Sequence, residues 1–178
     1  MENNRTIFLR QQVYATLFSL ANKIQVKGDQ NLEAFTSRQL MMLISILHLP
    51  DGFASINNIA RKMGTTKQSI KQLVNIVEKK GYIMTVPSKN DKRSVNIVIT
   101  PSGNQALYRD AIRGTEFFDT LFYELTSEEL DTLWTLLKKL YRFDGVEQDG
   151  FEETVEYNPL EKDKQNNEIA DTTFSRLI

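Results

Sequence analysis

The order of elements between Met63 and Thr100 is the tightest constraint on this chain. A turn, Gly64-Thr-Thr66, precedes a segment in which Ile70, Leu73, Val74 and Val77 share one face at the helical period. Thr66 supplies an N-cap oxygen for that helix, and Gly81 supplies the left-handed position that ends it. Two extended segments follow at once, Ile83 to Val86 and Val95 to Thr100, joined by the polar loop Ser88-Lys-Asn-Asp-Lys-Arg-Ser94. In the second of them Val95, Ile97 and Ile99 alternate with Ser94, Asn96 and, imperfectly, Val98, which predicts a strand with Val95, Ile97 and Ile99 inward. A helix, a tight hairpin and further helices predict a mainly α fold with a small β-hairpin.

The charge distribution bears on what such a unit meets. The chain of 178 residues has a net charge of -1, but the charge is divided. Residues 1–143 hold 19 basic and 13 acidic side chains, whereas residues 144–178 hold 3 and 10. Residues 56–100 alone hold 9 basic and 2 acidic. A basic density of that kind, on a helix followed by a basic-tipped ribbon, is an electrostatic footprint for phosphates. A solvated charged face is the plainer reading of any charge run; the helix–ribbon order beside it favours nucleic acid.

The rest of the chain supplies more helices. Residues 5–26 carry Tyr14, Leu17, Phe18, Ala21 and Ile24 at helical spacing, with Ile7, Phe8, Val13 and Leu20 widening the apolar face. So broad a face suggests a dimer partner, and Lys27-Gly-Asp is expected to end the helix. Thr36-Ser-Arg-Gln39 is a capping-box pattern opening an almost wholly apolar, hence central, helix that Pro50-Asp-Gly52 stops. Ser55 caps a short helix, Ile56 to Met63, with Ile59, Ala60 and Met63 inward. Thr100-Pro101 opens a helix to about Phe118. Thr126-Ser-Glu-Glu129 opens another to about Arg142, with Leu130, Leu133, Trp134, Leu137, Leu140 and Tyr141 as its apolar positions.

Beyond Phe143 the periodicity fails. The domain division is therefore 1–143, a DNA-binding and dimerisation domain, and 144–178, an acidic tail. The tail is expected to be largely disordered, with a short helix near Glu168 to Leu177; its Phe151, Val155, Tyr157, Leu160, Phe174, Leu177 and Ile178 leave docking onto the body as the alternative.

With these residues in this order, the chain resembles the MarR-type family of transcriptional regulators. The resemblance rests on Thr36 to Gln39, Ile59-Ala60 and Met63, Thr66-Lys67, Leu73-Val74 and Glu78-Lys-Lys-Gly81. It continues through the wing signature Asp91-Lys-Arg93-Ser and through Thr100 with Gly103, and covers about residues 5–142. It implies a winged helix-turn-helix, about 36–100, flanked by N- and C-terminal dimerisation helices. The chain departs from the pattern at Gln72, where family members commonly carry Arg, at Asn75-Ile76, at Thr85-Val86 and in its acidic tail.

The resemblance implies that Arg93 enters the minor groove, where a narrow groove concentrates negative potential, with Asp91 orienting it. Lys89 and Lys92 are then phosphate ligands. Gln68, Gln72 and Asn75 are amides on the exposed helix face, a chemistry that reads adenine edges in the major groove. Lys67, Ser69 and Lys71 suit phosphates, and Thr66 combines its cap with a backbone contact. A solubilising hairpin tip and an ordinary polar helix surface are the respective bland readings.

Tyr14, Phe18 and Tyr108 lie on helices that in the family border a cavity, and His48 is the sole histidine; all four are candidates for binding a small aromatic or amphipathic effector, with core packing as the competing account. A single His and no Cys weigh against a transition-metal site, and no cofactor motif is present. Nothing resembles a phosphate loop, a nucleophile elbow or paired helical histidines, so no catalytic residues are assigned and the chain is not read as an enzyme. Without an apolar run long enough for a membrane, a signal peptide or cysteines, the expected location is the cytoplasm. The leading expectation is a homodimeric regulator, a repressor by default, bound to a pseudo-palindromic site on double-stranded DNA. The alternatives are a winged-helix module that binds protein, or a regulator autoinhibited by its acidic tail.

Overall fold

A computed structural model of the protein describes residues 4–88, 95–148 and 150–151. Among the described residues six helices and one hairpin follow in the order α1 (Asn4–Asn31), α2 (Ser37–Leu47), α3 (Ile56–Lys62), α4 (Lys67–Lys79), β1 (Ile83–Pro87), β2 (Val95–Ile99), α5 (Pro101–Phe122) and α6 (Ser127–Tyr141). A 3-10 turn, Arg142–Asp144, closes α6. The fold is the mainly helical, single-hairpin winged helix that the residue pattern predicts.

The start signals work as their chemistry requires. Thr36, Ser55, Thr66, Thr100 and Thr126 each sit in extended backbone and accept a hydrogen bond from an N–H in the first turn of their helix. Thr36–Gln39 and Thr126–Glu129 form complete capping boxes. Because free N–H groups at a helix start are costly when unsatisfied, these residues fix where each helix begins.

The core lies between α2, α4, the hairpin and the first half of α5. Met42, Leu43, Ile59, Ile70, Val77, Ala106 and Leu107 are fully enclosed there. Helix α2 touches α1, α3, α4, α5 and β2, which makes it the central helix. The strands pair antiparallel, with Thr85 opposite Ile97 and Pro87 opposite Val95. The Ile97 N–H donates to the Ala54 carbonyl at 2.9 Å, so the segment before α3 extends the sheet by one rung.

Three expectations need correction. Lys27-Gly-Asp does not end α1, which runs to Asn31. Gly28 is instead the buried point where α1 meets α2 and α5: a Cβ there would stand 2.5 Å from Ser37 Oγ and 3.7 Å from the Phe117 ring. Close helix approach, not chain reversal, is why a small residue sits at that position. The alternation of β2 is also imperfect in a different way from that expected. Val95 is exposed and Asn96 is buried, because the hairpin leaves the body at Val95 and only Ile97 and Ile99 reach the core. Helix α5 continues past Phe118 to Phe122.

The segments joining the helices are anchored by a buried carboxylate. Asp110 on α5 is fully enclosed and accepts the backbone N–H groups of Glu33, Ala34 and Phe35, each at 3.0 Å. It thereby holds the α1–α2 loop against α5. The sequence does carry a signal for this: Asp110 follows Ala106 and Leu107 on the buried stripe of α5, where a charge persists only if it is fully bonded.

Candidate nucleic-acid interface

Helix α4 buries Ile70, Val74 and Val77 and turns the rest of its surface outward. Lys67, Gln68, Lys71, Gln72 and Asn75 are all exposed, and their spacing places them along one helix face. Thr66 is exposed too; its Oγ1 accepts the Ser69 N–H at 3.1 Å and lies 3.0 Å from the Ser69 hydroxyl. The two hydroxyls therefore form one polar unit at the start of the helix. Ser69 is half-buried, so of the candidates on this helix it is the least available to a large partner.

The wing candidates Lys89, Asp91, Lys92 and Arg93 lie outside the described residues. The strands that carry them are described to the Pro87–Val95 pair. Those strands are fixed to α4 by a contact not anticipated from the sequence. Glu78, in the last turn of α4, accepts both the N–H of Thr85 at 3.0 Å and its hydroxyl at 2.7 Å through one carboxylate oxygen. The end of α4 is tied down at two further points. Lys80 Nζ donates to the Ala34 carbonyl at 2.8 Å, and the Gly81 carbonyl accepts the hydroxyls of Thr100 at 2.7 Å and Ser102 at 3.1 Å. Gly81 itself has φ +76, which a side chain would strain.

The four effector candidates are not gathered in one place. Tyr14 and Phe18 pair ring to ring at 4.9 Å on the exposed side of α1, and Tyr108 packs against the core from α5. His48 caps the far end of α2, with its ring 5.3 Å from that of Phe151. A cavity of about 340 Å³ opens between α1, α2 and the end of α6, but Ala21, Ile24, Met41, Met63, Tyr141 and Phe151 form its apolar lining. Among the described residues no cluster of acidic or histidine side chains could hold a metal ion, and no helix is long and apolar enough to cross a membrane.

A short capped helix held by two preceding helices, with polar residues outward and an antiparallel hairpin at its heel, defines a winged helix-turn-helix, a class that binds DNA. The comparisons with known proteins name the type. Residues 35–94 match the model of the MarR family. The chain is similar to the transcriptional regulator PapX of Escherichia coli, at 26% identity over 66% of this chain and 73% of that one. It is also 37% identical over 90 residues to a putative regulatory protein for the hcr operon of Thauera aromatica, spanning about half of each chain (49% and 52%). Among solved structures, S. aureus MepR in complex with DNA superimposes with a TM-score of 0.64 and 26% identity, over 72% of this chain and 96% of that one. Residues 35–94 thus carry the winged helix of MarR-type transcriptional regulators, the DNA-binding kind of protein that this chain is similar to.

Proposed function

We propose that the protein acts as a homodimer that represses by occupying a pseudo-palindromic operator. One observation carries the dimer. Among the described residues helix α6 has no buried residue, although Leu133, Trp134, Leu137 and Leu140 line one side of it. Phe8, Tyr14 and Phe18 on α1 and Phe118 on α5 are exposed as well. An amphipathic helix gains its stability by covering its apolar face, and this one finds no cover among the described residues. A second copy supplies it with the same helices by two-fold symmetry.

In this reading the two α4 helices enter successive major grooves about 34 Å apart. Gln68, Gln72 and Asn75 face bases, Lys67 and Lys71 face phosphates with Thr66 and Ser69, and the wing carries Arg93 to the flanking minor groove with Asp91, Lys89 and Lys92. MepR, whose solved complex contains DNA, supports the docking mode. The cavity between α1 and α2 is suited in size and lining to a small aromatic or amphipathic effector. Such a ligand changes DNA affinity only by preferring one spacing of the two winged helices over the other.

Fluorescence anisotropy on a duplex selected by the protein from a randomised pool tests the reading, with sedimentation run at the same concentrations. The wild type is expected to sediment as a dimer at micromolar concentration. Arg93→Ala is expected to weaken binding about tenfold and to lower the salt slope by about one, as loss of one cationic contact requires. A monomer at that concentration sinks the dimer, and an unchanged affinity and slope for Arg93→Ala sinks the wing contact.

A further inference from the structure

The residues just after α6 return to the winged helix. Gly145, with φ +82, reverses the chain after the 3-10 turn, and an Arg142–Glu147 ion pair at 3.4 Å holds the bend. The chain then reaches α3. Lys62 Nζ donates to the Gly150 carbonyl at 2.6 Å and stands 5.0 Å from the centre of the Phe151 ring. The same ring meets the imidazole of His48 in a T-shaped contact, with centroids 5.3 Å apart. Lys62 is only 6% exposed. A lysine buried to that degree needs partners for its ammonium, and a carbonyl with an aromatic face is what this segment brings.

The geometry points to a latch: His48 and Lys62 form a binding site for the Gly150–Phe151 segment of the same chain, and the latched state binds DNA more weakly than the released one. The proposal rests on the DNA-binding reading above and adds a means of regulating it. Its direction follows from charge. Lys62 lies four positions before Thr66, the cap of α4, and the residues that continue from Phe151, 152–178, hold 7 acidic and 3 basic side chains. Anchoring Phe151 on α3 therefore fixes where this acidic sequence begins, on the helix that precedes α4. Like charges at such range repel, and salt screens them over about 8–10 Å.

Phe151→Ala in the full-length protein tests the latch, with Phe151→Tyr as the conservative control. His48 is the only histidine, so its imidazole gives a single reporter resonance that needs no DNA. The expected results are a shift of that resonance in Phe151→Ala and not in Phe151→Tyr. On the selected duplex, Phe151→Ala is expected to bind about three- to tenfold more tightly at low salt, with the gain shrinking as salt rises. An unmoved His48 resonance in Phe151→Ala overturns the binding site. A moved resonance with equal or weaker DNA affinity overturns the regulatory role. Failure of the wild type to recover any duplex is a failure of the operator reading instead, and leaves the resonance test to decide the binding site.

Discussion

Gly103→Ala is expected to destabilise the protein by about 3 kcal/mol, against the sign that helix propensity gives. Gly103 lies in the first turn of α5, where alanine is intrinsically better by up to about 1 kcal/mol. The added methyl, however, would fall well inside contact distance of the Tyr82 carbonyl oxygen and 3.0 Å from Ile99 Cγ2. That carbonyl cannot move away freely, because it accepts the Thr100 N–H at 3.0 Å and so joins β1 to the start of α5. Overpacking at such a site costs roughly 1–3 kcal/mol, and loosening a part-buried backbone bond adds about 1–3 kcal/mol. Urea unfolding at fixed protein concentration measures the sum. A midpoint at or above that of the wild type would falsify the close-approach account of this glycine.

Asp110→Ala is expected to cost about 4 kcal/mol. The carboxylate accepts three backbone N–H groups in a fully enclosed position. Removing it strands donors whose desolvation costs about 1–3 kcal/mol each, less whatever water recovers. Asp110→Asn keeps one oxygen and sets an NH2 group against backbone donors, so it is expected to lose roughly half as much. The same unfolding series reads both variants. Equal losses for Ala and Asn would mean that only the intact carboxylate, with both oxygens and its charge, supports the loop, and that one retained oxygen of the same shape does not. Because the loop it grips joins α1 to α2, Asp110→Ala is also expected to speed backbone exchange at Ala34 and Phe35 ahead of the core.

Much of the architecture was legible because it is locally encoded. Thr36, Ser55, Thr66, Thr100 and Thr126 announce helix starts through side-chain oxygens that act within three residues, and each one caps as expected. The exposed amide and lysine face of α4 follows from its period alone. What the sequence hid is non-local. Gly28 reads as a terminator until Ser37 and Phe117 are seen against it, and nothing in the sequence around Glu78 announces that Thr85 folds back onto it. Lys62 reads as part of a basic patch, yet it is buried beneath Gly150 and Phe151, some ninety residues further along (88 for the hydrogen bond). The effector candidates failed to converge for a related reason. Aromatic side chains on separate helices carry no label that distinguishes a cavity wall from an exposed face, and Tyr14 and Phe18 lie on an exposed one.

The pair of hydrogen bonds from Thr85 to Glu78 has a consequence for the DNA itself. It makes α4 and the hairpin one rigid caliper, since the helix end and the strand that feeds the wing share a single carboxylate oxygen. On the proposed docking, such a caliper measures the distance between a major-groove site and the minor groove beside it. Inserting one base pair between those two elements of an operator would then break one contact to keep the other, so the interval between them is as much a part of the recognised message as the letters at either end.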